Sequence, residues 1–390
     1  MLVQRSYICN CKKSFLVVVA SIAVLLFASC NSWALSHDRL DRRARRFGGS
    51  VISASAGGHH SVALTADGRV WVWGSNGNGQ IGDGTERQRR RPVRIIDDVM
   101  AISAGDHHTT VITNDGELWS WGTVSFDFGY GHALHRSFMK EPRMVTDNVA
   151  YVSSGLSYML FIDANHTLWT AGSMYYSPHI YWRERISIAF IMDDVRMVSA
   201  GRSHAMAITM ENVLWGWGTN RYGQLGNGTT IGSRTPVEIM EDIAFVSASQ
   251  GASVYRGHTM AITTDGTLWG WGGNSQGQLG DGTNTNQYSP VRIMEDVIYV
   301  SAAGFNTAAI TSDNGLWVWG SNLAGQVGDG TTVDSPVPLR VMDNVVSVSI
   351  SSGHVMAITS NGELWVWGSN SMGQLGDGTT INRHSPVRIK

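Results

Sequence analysis

The chain has 390 residues, 43% of them hydrophobic and 15% charged, with 45 glycines against 8 prolines, a globular composition that excludes a disordered or collagen-like chain. The net charge of −2 divides unevenly, with +6 on residues 1–46 and −8 on the remainder, and an acidic body argues against a broad nucleic-acid or anionic-membrane surface. All three cysteines (Cys9, Cys11 and Cys30) precede residue 31, which leaves the body without disulfide or thiol chemistry.

In chain order, Lys12 and Lys13 open an apolar stretch from Phe15 to Ala28, and a charged start before a short hydrophobic run predicts a secretory leader. Ser32-Trp33-Ala34 offers the small residues of a cleavage site, so residues 1–34 read as a signal peptide. Leu26-Phe27-Ala28-Ser29-Cys30 offers a second exit, a lipoprotein leader with Cys30 lipidated, and an uncleaved anchor extending to Trp33 is the third. All three place the body outside the cytosol, extracellular or at the cell surface, joined through a basic linker over residues 35–50.

From residue 51 onward one phrase, Leu-Trp-x-Trp-Gly, recurs. Its second Trp falls at Trp73, Trp121, Trp217, Trp271, Trp319 and Trp367, with Ala171 in the equivalent place of a seventh copy. Spacings of 46 to 54 residues are those of propellers or solenoids, whose units are too small to bury their own faces. Met260-Ala261-Ile262-Thr263 and Leu268-Trp269-Gly270-Trp271 alternate at period two about Asp265-Gly266, a strong hairpin signal, and the same turn recurs at Asp67-Gly68, Asp115-Gly116 and Asn361-Gly362. A Val-Ser-Ala stretch before each hairpin and a Pro-Val-x-Ile stretch after it supply two further strands. No copy has the apolar rhythm of a helix. The expectation is an all-β chain, a seven-bladed β-propeller of four-stranded antiparallel blades over residues 51–390, with the strand near Val51 completing the ring.

Within each copy the recurrent residues read first as structure. Thirteen of the fifteen tryptophans sit in the hairpins, where each buries on the order of 200 Å² and supplies a core without disulfides. His60, His108, His204, His258 and His354 hold one repeat position, taken by Tyr158 and Asn306 in copies three and six, so hydrogen bonding rather than a metal ring explains the position. Gly77-Asn78-Gly79-Gln80-Ile81-Gly82 matches a dinucleotide fingerprint only by accident, since no helix follows. The Asp of Gly-Asp-Gly-Thr (Asp83, Asp281, Asp329, Asp377) becomes Asn227 once, which favours turn chemistry over calcium. The run Arg87, Arg89, Arg90, Arg91 reads as a solvated loop. No catalytic constellation, metal site or cofactor site is expected. Asn165 and Asn227 begin glycosylation sequons that matter only in a eukaryotic secretory pathway.

The Ser-Ala-Gly-x-x-His start, the Asp-Gly-x-Leu-Trp-x-Trp-Gly hairpin and the Gly-Gln-Leu-Gly-Asp-Gly-Thr loop at 277–283 resemble the regulator of chromosome condensation repeat family. The loop recurs at 79–85, 223–229, 325–331 and 373–379, and the resemblance covers residues 51–390. It implies a seven-bladed propeller. A plant ultraviolet photoreceptor of this fold uses clustered tryptophans, but its Gly-Trp-Arg-His-Thr run is absent here. Secreted bacterial propellers that inhibit β-lactamases are the functional analogy. The eukaryotic family name implies instead guanine-nucleotide exchange on a small GTPase with chromatin binding, against which the leader and the acidic body count.

Copies two and three lose the Gly-Gln-Leu-Gly loop. Phe126, Phe128, Tyr130, His132, His135 and Phe138 replace it in one, and Tyr175, Tyr176, His179, Tyr181, Trp182 and Arg183 in the other. Aromatics and Arg dominate interface hot spots, so Phe126, Phe128, Tyr130, Phe138, Tyr175, Tyr176, Tyr181, Trp182 and Arg183 are the candidate partner-binding residues; mutual packing of two decayed repeats is the alternative. Copy five carries an insertion around Tyr255 and Arg256, a second candidate. The expected function is that of an exported, monomeric, non-enzymatic binding propeller with a protein partner. Cell-wall or carbohydrate binding is the further alternative, since the same aromatics stack on sugars.

Overall fold

A computed structural model describes residue 47 and residues 49–124, 139–172, 188–250 and 257–389. These form 28 strands in seven four-stranded sheets, each built from four consecutive strands in sequence order. The first sheet is β1 (Val51–Ala56), β2 (His60–Thr65), β3 (Val70–Gly74) and β4 (Arg89–Ile96), and its strands pair antiparallel with their sequence neighbours. The later blades span residues 99–146, 149–192, 195–240, 243–294, 297–342 and 345–389. The seven-bladed propeller of the sequence is the observed fold.

Each blade forms for local reasons. The second and third strands alternate in period two, and the turn between them needs a residue at positive φ: Gly68, Gly116, Gly266 and Gly362 supply it at 76° to 84°, while His166, Asn212 and Asn314 supply it in the other three blades. The first strands of neighbouring blades pack on one another around the axis. Every one of the seven seams carries two equivalent hydrogen bonds. One runs from a backbone N–H at the end of a first strand to the serine of the preceding blade, as in Ala104 N to Ser55 Oγ at 2.9 Å and Ala302 N to Ser247 Oγ at 2.9 Å. The other runs from the valine or isoleucine that opens a blade to the preceding turn, as in Val99 N to Gly68 O at 3.0 Å.

Ring closure follows the same rule. Ala56 N donates to Ser349 Oγ (2.9 Å) and Val51 N to Gly362 O (3.2 Å), so β1 joins the last blade across a seam of the ordinary kind. It does not add a strand to the last sheet, which is complete with Val345–Ile350, His354–Thr359, Leu364–Gly368 and Arg383–Ile389. The core lies between sheets. Trp121 of the second blade, for example, is fully buried against Val62, Leu64, Val72 and Ile81 of the first.

Candidate interaction face

With four antiparallel strands per blade, the turn from first to second strand and the loop from third to fourth emerge on one face of the ring. The hairpin turn and the blade-to-blade connection emerge on the other. We call the first the loop face and the second the turn face. On the turn face, six blade-to-blade connections carry Asp97, Asp98, Asp147, Asp193, Asp194, Glu241, Asp242, Glu295, Asp296 and Asp343, which accounts for much of the acidic charge of the body. Asp98, Asp194, Asp242 and Asp296 stand at positive φ there, so their backbone alone favours Asp or Asn.

On the loop face the Gly-Gln-Leu-Gly loop interlocks successive blades. In copy five, Asn274 is buried, donates to Asp281 Oδ1 (2.9 Å) and Thr283 O (3.0 Å), and accepts from Leu279 N (2.9 Å). Asp281 Oδ1 accepts from both the N–H and the hydroxyl of Thr283, each at 2.9 Å, and Asn227 accepts from Thr229 in the same way without a charge. The loop then presents the Gln278 carbonyl to the next blade, where it accepts from Trp319 Nε1 (3.0 Å) and Thr307 Oγ1 (2.7 Å). Thr307 Oγ1 lies 3.0 Å from His258 Nε2 of the first blade of the pair. Loop, second hairpin Trp and repeat histidine are thus one network.

The same network joins His60, Thr109, Gln80 and Trp121 at the seam of blades one and two. It joins His204, Thr259, Gln224 and Trp271 at the seam of blades four and five, and His354, Ser61, Gln374 and Trp73 where blade seven meets blade one. Between blades six and seven, Asn306 and Val355 replace the His–Thr pair while Trp367 still donates to Gln326 O (2.9 Å). The histidines are fully buried, and burial pushes His108, His258 and His354 down to about 3 and His204 to about 4, which keeps them neutral near pH 7. Among the described residues no group of three or more His, Cys, Asp or Glu gathers to hold a metal ion.

Blade three stands outside this network on both sides. Met159 occupies the Thr position facing His108, and neither ring nitrogen of His108 has a partner among the described residues. Ala171 stands where a Trp would dock into the loop that copy two has lost, and Ala205 faces Tyr158, whose hydroxyl donates instead to Gly201 O (2.8 Å). Across the top of this blade, Arg202 of blade four reaches Asp106 of blade two (Nη1 to Oδ2, 3.1 Å). Burial raises the Asp106 carboxyl to about 6, with the Arg202 guanidinium pulling the other way.

Phe126, Phe128, Tyr130, Phe138, Tyr175, Tyr176, Tyr181, Trp182 and Arg183 all lie outside the described residues, as do His132, His135, His179, Tyr255 and Arg256. The strand ends that bracket them are described. Gly122 and Met139, Gly172 and Ile188, and Ala248 and His258 all end or begin strands at the loop face. The described residues add a feature that the sequence reading missed. Directly opposite the first hairpin Trp, the fourth strand of five blades carries a charged residue: Arg94, Glu238, Arg292, Arg340 and Arg388. Blades two and three carry Met144 and Phe190 there, 47% and 55% exposed, with Ile188 beside them at 41%. Phe190 sits edge-on to Trp169 at 5.9 Å. Aligning the fourth strands copy by copy would have found it.

Two sequence models of the regulator of chromosome condensation (RCC1) repeat match the chain, one at 67–112, 211–262, 265–310, 313–358 and 361–390, the other at 51–80, 99–131, 195–224 and 345–374. Within residues 51–390 the longest stretch they leave unmatched is 132–194, which holds the fourth strand of blade two and all of blade three. The ultraviolet-B receptor UVR8 of Arabidopsis thaliana is 31% identical over 247 residues, 62% of this chain and 46% of that protein, so the match spans less than half of the relative. Among solved structures, human WBSCR16 shares the fold with a TM-score of 0.70 at 21% identity, covering 83% of this chain and 94% of that one. Prp20p of Saccharomyces cerevisiae, described with its binding to Gsp1p and histones, superposes with a TM-score of 0.51 at 20% identity over 87% of this chain and 77% of its own. The chain belongs to the regulator of chromosome condensation (RCC1) repeat family.

Proposed function

We propose that this propeller is an exported, non-enzymatic binding module whose protein partner docks on blades two and three. The observation that carries the reading is the replacement of charge by Met144 and Phe190 at one repeat position. Five other blades show that the fold accepts Arg or Glu there, so two exposed apolar side chains on adjacent blades serve something besides folding. They lie on the fourth strands that directly follow the segments holding the candidate aromatics, and Prp20p offers a precedent for a propeller of this repeat acting as a protein-binding platform. Export rests on the leader at residues 12–28.

The test is a pull-down with the full chain against extracellular and envelope proteins, run beside a Met144→Arg, Phe190→Glu double variant. Both new residues occur at this position in other copies, so stability should stay within about 0.5 kcal/mol of the parent. Recovery of one stoichiometric partner, lost from the double variant and weakened by about 2 kcal/mol or more in each of Tyr176→Ala, Tyr181→Ala and Trp182→Ala, is the expected result. If the double variant retains the partner, or the three aromatic substitutions lower stability together and leave binding untouched, the site is withdrawn.

A further inference from the structure

A second surface lies on the loop face, over blades six, seven and one, at positions whose backbone is fully employed and whose side chains are not. Two residues beyond the Thr of each regular loop, an N–H donates to that Thr: Val333 N to Thr331 Oγ1 at 3.2 Å and Ile381 N to Thr379 Oγ1 at 3.3 Å. The carbonyl of the same residue accepts from the buried loop Asn, Asn322 or Asn370, at 3.1 Å. The N–H bond forms equally at Arg87 and Thr285 in copies one and five, so it accepts a polar side chain, while Ile231 of copy four makes both bonds and is 76% exposed without a second exposed large apolar residue in its loop. Yet Val333 is 71% and Ile381 61% exposed. The same loops also carry Leu323, 80% exposed, and Met372, 41% exposed, where copy five has Ser275 and Gln276.

The loops are contiguous around the rim. Gly330 N of blade six donates to His384 O of blade seven (2.9 Å), and Gly378 N of blade seven donates to Arg90 O of blade one (2.9 Å). The apolar pairs of blades six and seven therefore lead directly to Arg90 and Arg91, which are exposed and make no ion pair among the described residues; neither does Arg87. Three of the acids on these loops are paired with a cation, and two, at the blade-six end, are hydrogen-bonded to neutral donors and keep their charge. Asp83 binds Arg89, Glu86 binds Lys140, Asp377 binds Arg383, Asp329 accepts from Thr331, and Asp334 accepts from the Asn322 N–H. What remains unsatisfied is an apolar strip ending in positive charge, on a body of net charge −8.

We propose that this strip docks an acidic protein segment carrying apolar side chains, laid across blades six, seven and one. The arginines select the acidic end, and the exposed aliphatic side chains supply area that leaves water on binding. An anionic membrane is disfavoured because the body as a whole repels it. The surface is independent of the one on blades two and three, and its failure would leave that reading standing.

The experiment selects a displayed library of random dodecapeptides on the full chain and measures the consensus peptide by fluorescence anisotropy. The comparison protein carries Leu323→Ser, Val333→Thr, Met372→Gln and Ile381→Thr, residues that copy five bears at the same backbone positions, so an unchanged melting temperature certifies its fold. Enriched peptides should combine Asp or Glu with apolar residues, bind at least about tenfold more weakly to this variant and to Arg90→Glu, lose affinity with added salt, and keep full affinity for Tyr181→Ala. No enrichment, a consensus without acidic residues, or equal binding to the four-residue variant overturns the proposal. So does cosedimentation with phosphatidylglycerol vesicles that the four substitutions abolish, which would assign the strip to a membrane.

Discussion

Acidification should unfold this propeller well above the pH at which carboxylates titrate. His60, His108, His204, His258 and His354 are all buried, and burial holds each below the ordinary value of 6.5, four of them at about 3 to 4. A folded-state pKa below the unfolded one gives stability that is complete above pH 6.5 and is lost as the pH falls. At pH 5 the unfolded imidazoles are nearly all charged while the folded ones stay neutral, which costs about 2 kcal/mol per histidine relative to pH 7, roughly 9 kcal/mol for five. The sum is insensitive to the folded-state values provided they lie below 4.5 or so. Asp106 works in the opposite direction, because its folded pKa of about 6 exceeds the unfolded 3.8 and proton uptake below pH 6 returns about 1 kcal/mol. Urea unfolding of the full chain, followed by tryptophan fluorescence at pH 7, 6 and 5, should therefore show a net loss near 8 kcal/mol. A loss under about 2 kcal/mol over that range would falsify the claim that these histidines are buried and neutral.

Gly280 stands at φ 82° with a would-be Cβ 2.6 Å from Trp319 Nε1, whereas Gly282 at φ 80° meets nothing nearer than Val337 at 3.9 Å. In thermal melts Gly280→Ala should cost about 3 kcal/mol or more and Gly282→Ala about 1 kcal/mol, and equal costs would show that the glycine does not carry the Trp. His108→Leu removes a buried polar group without a partner among the described residues and should raise stability by about 1 kcal/mol, while His258→Leu breaks its bond to Thr307 and should lower it by a similar amount; the same sign for both would refute the network. Mass spectrometry of the mature N-terminus should find a start at or near Leu35, or a lipidated Cys30. A soluble cytosolic pool retaining Met1 would overturn the export proposal and favour the exchange-factor reading.

The fold was legible because its signals are local and repeated. The Asp-Gly hairpin, the alternating strands and the Trp spacing each follow from the backbone geometry of one blade, and seven copies remove the ambiguity of any single one. What joins the blades was less legible, since a seam is a relation between copies. The repeat serine looks like filler in Val-Ser-Ala until Ser55 is seen holding Ala104 N, and then Ser349 holding Ala56 N at the point of closure. The expectation about Val51 shows the same limit. Sequence says that a strand is there, but only the pairing of β1 with β2 tells that it opens the first sheet and leaves the last one complete.

The candidate site shows why departures from a repeat must be interpreted across the seam. The loss of the loop in copy two and the Ala171 of copy three look like two separate decays when each copy is aligned to a consensus. They meet at one seam, because after a regular loop the Trp of each blade docks into that loop, although Trp217, which follows the lost loop of copy three, stays buried without it. The His–Thr pair behaves alike: Asn306 with Val355, and Tyr158 with Ala205, change together, and His108 facing Met159 is the one place where a partner left and the histidine stayed. Blade three thus lacks the contacts that shape the other loops, and the His108 imidazole beside it is buried without a partner among the described residues. That lack alone predicts polar, variable replacements, as surface loops ordinarily show. The aromatic content of residues 126–138 and 175–183, together with exposed Met144 and Phe190 on the fourth strands that follow them, departs from that expectation in one direction, and this departure is what supports the proposed partner site.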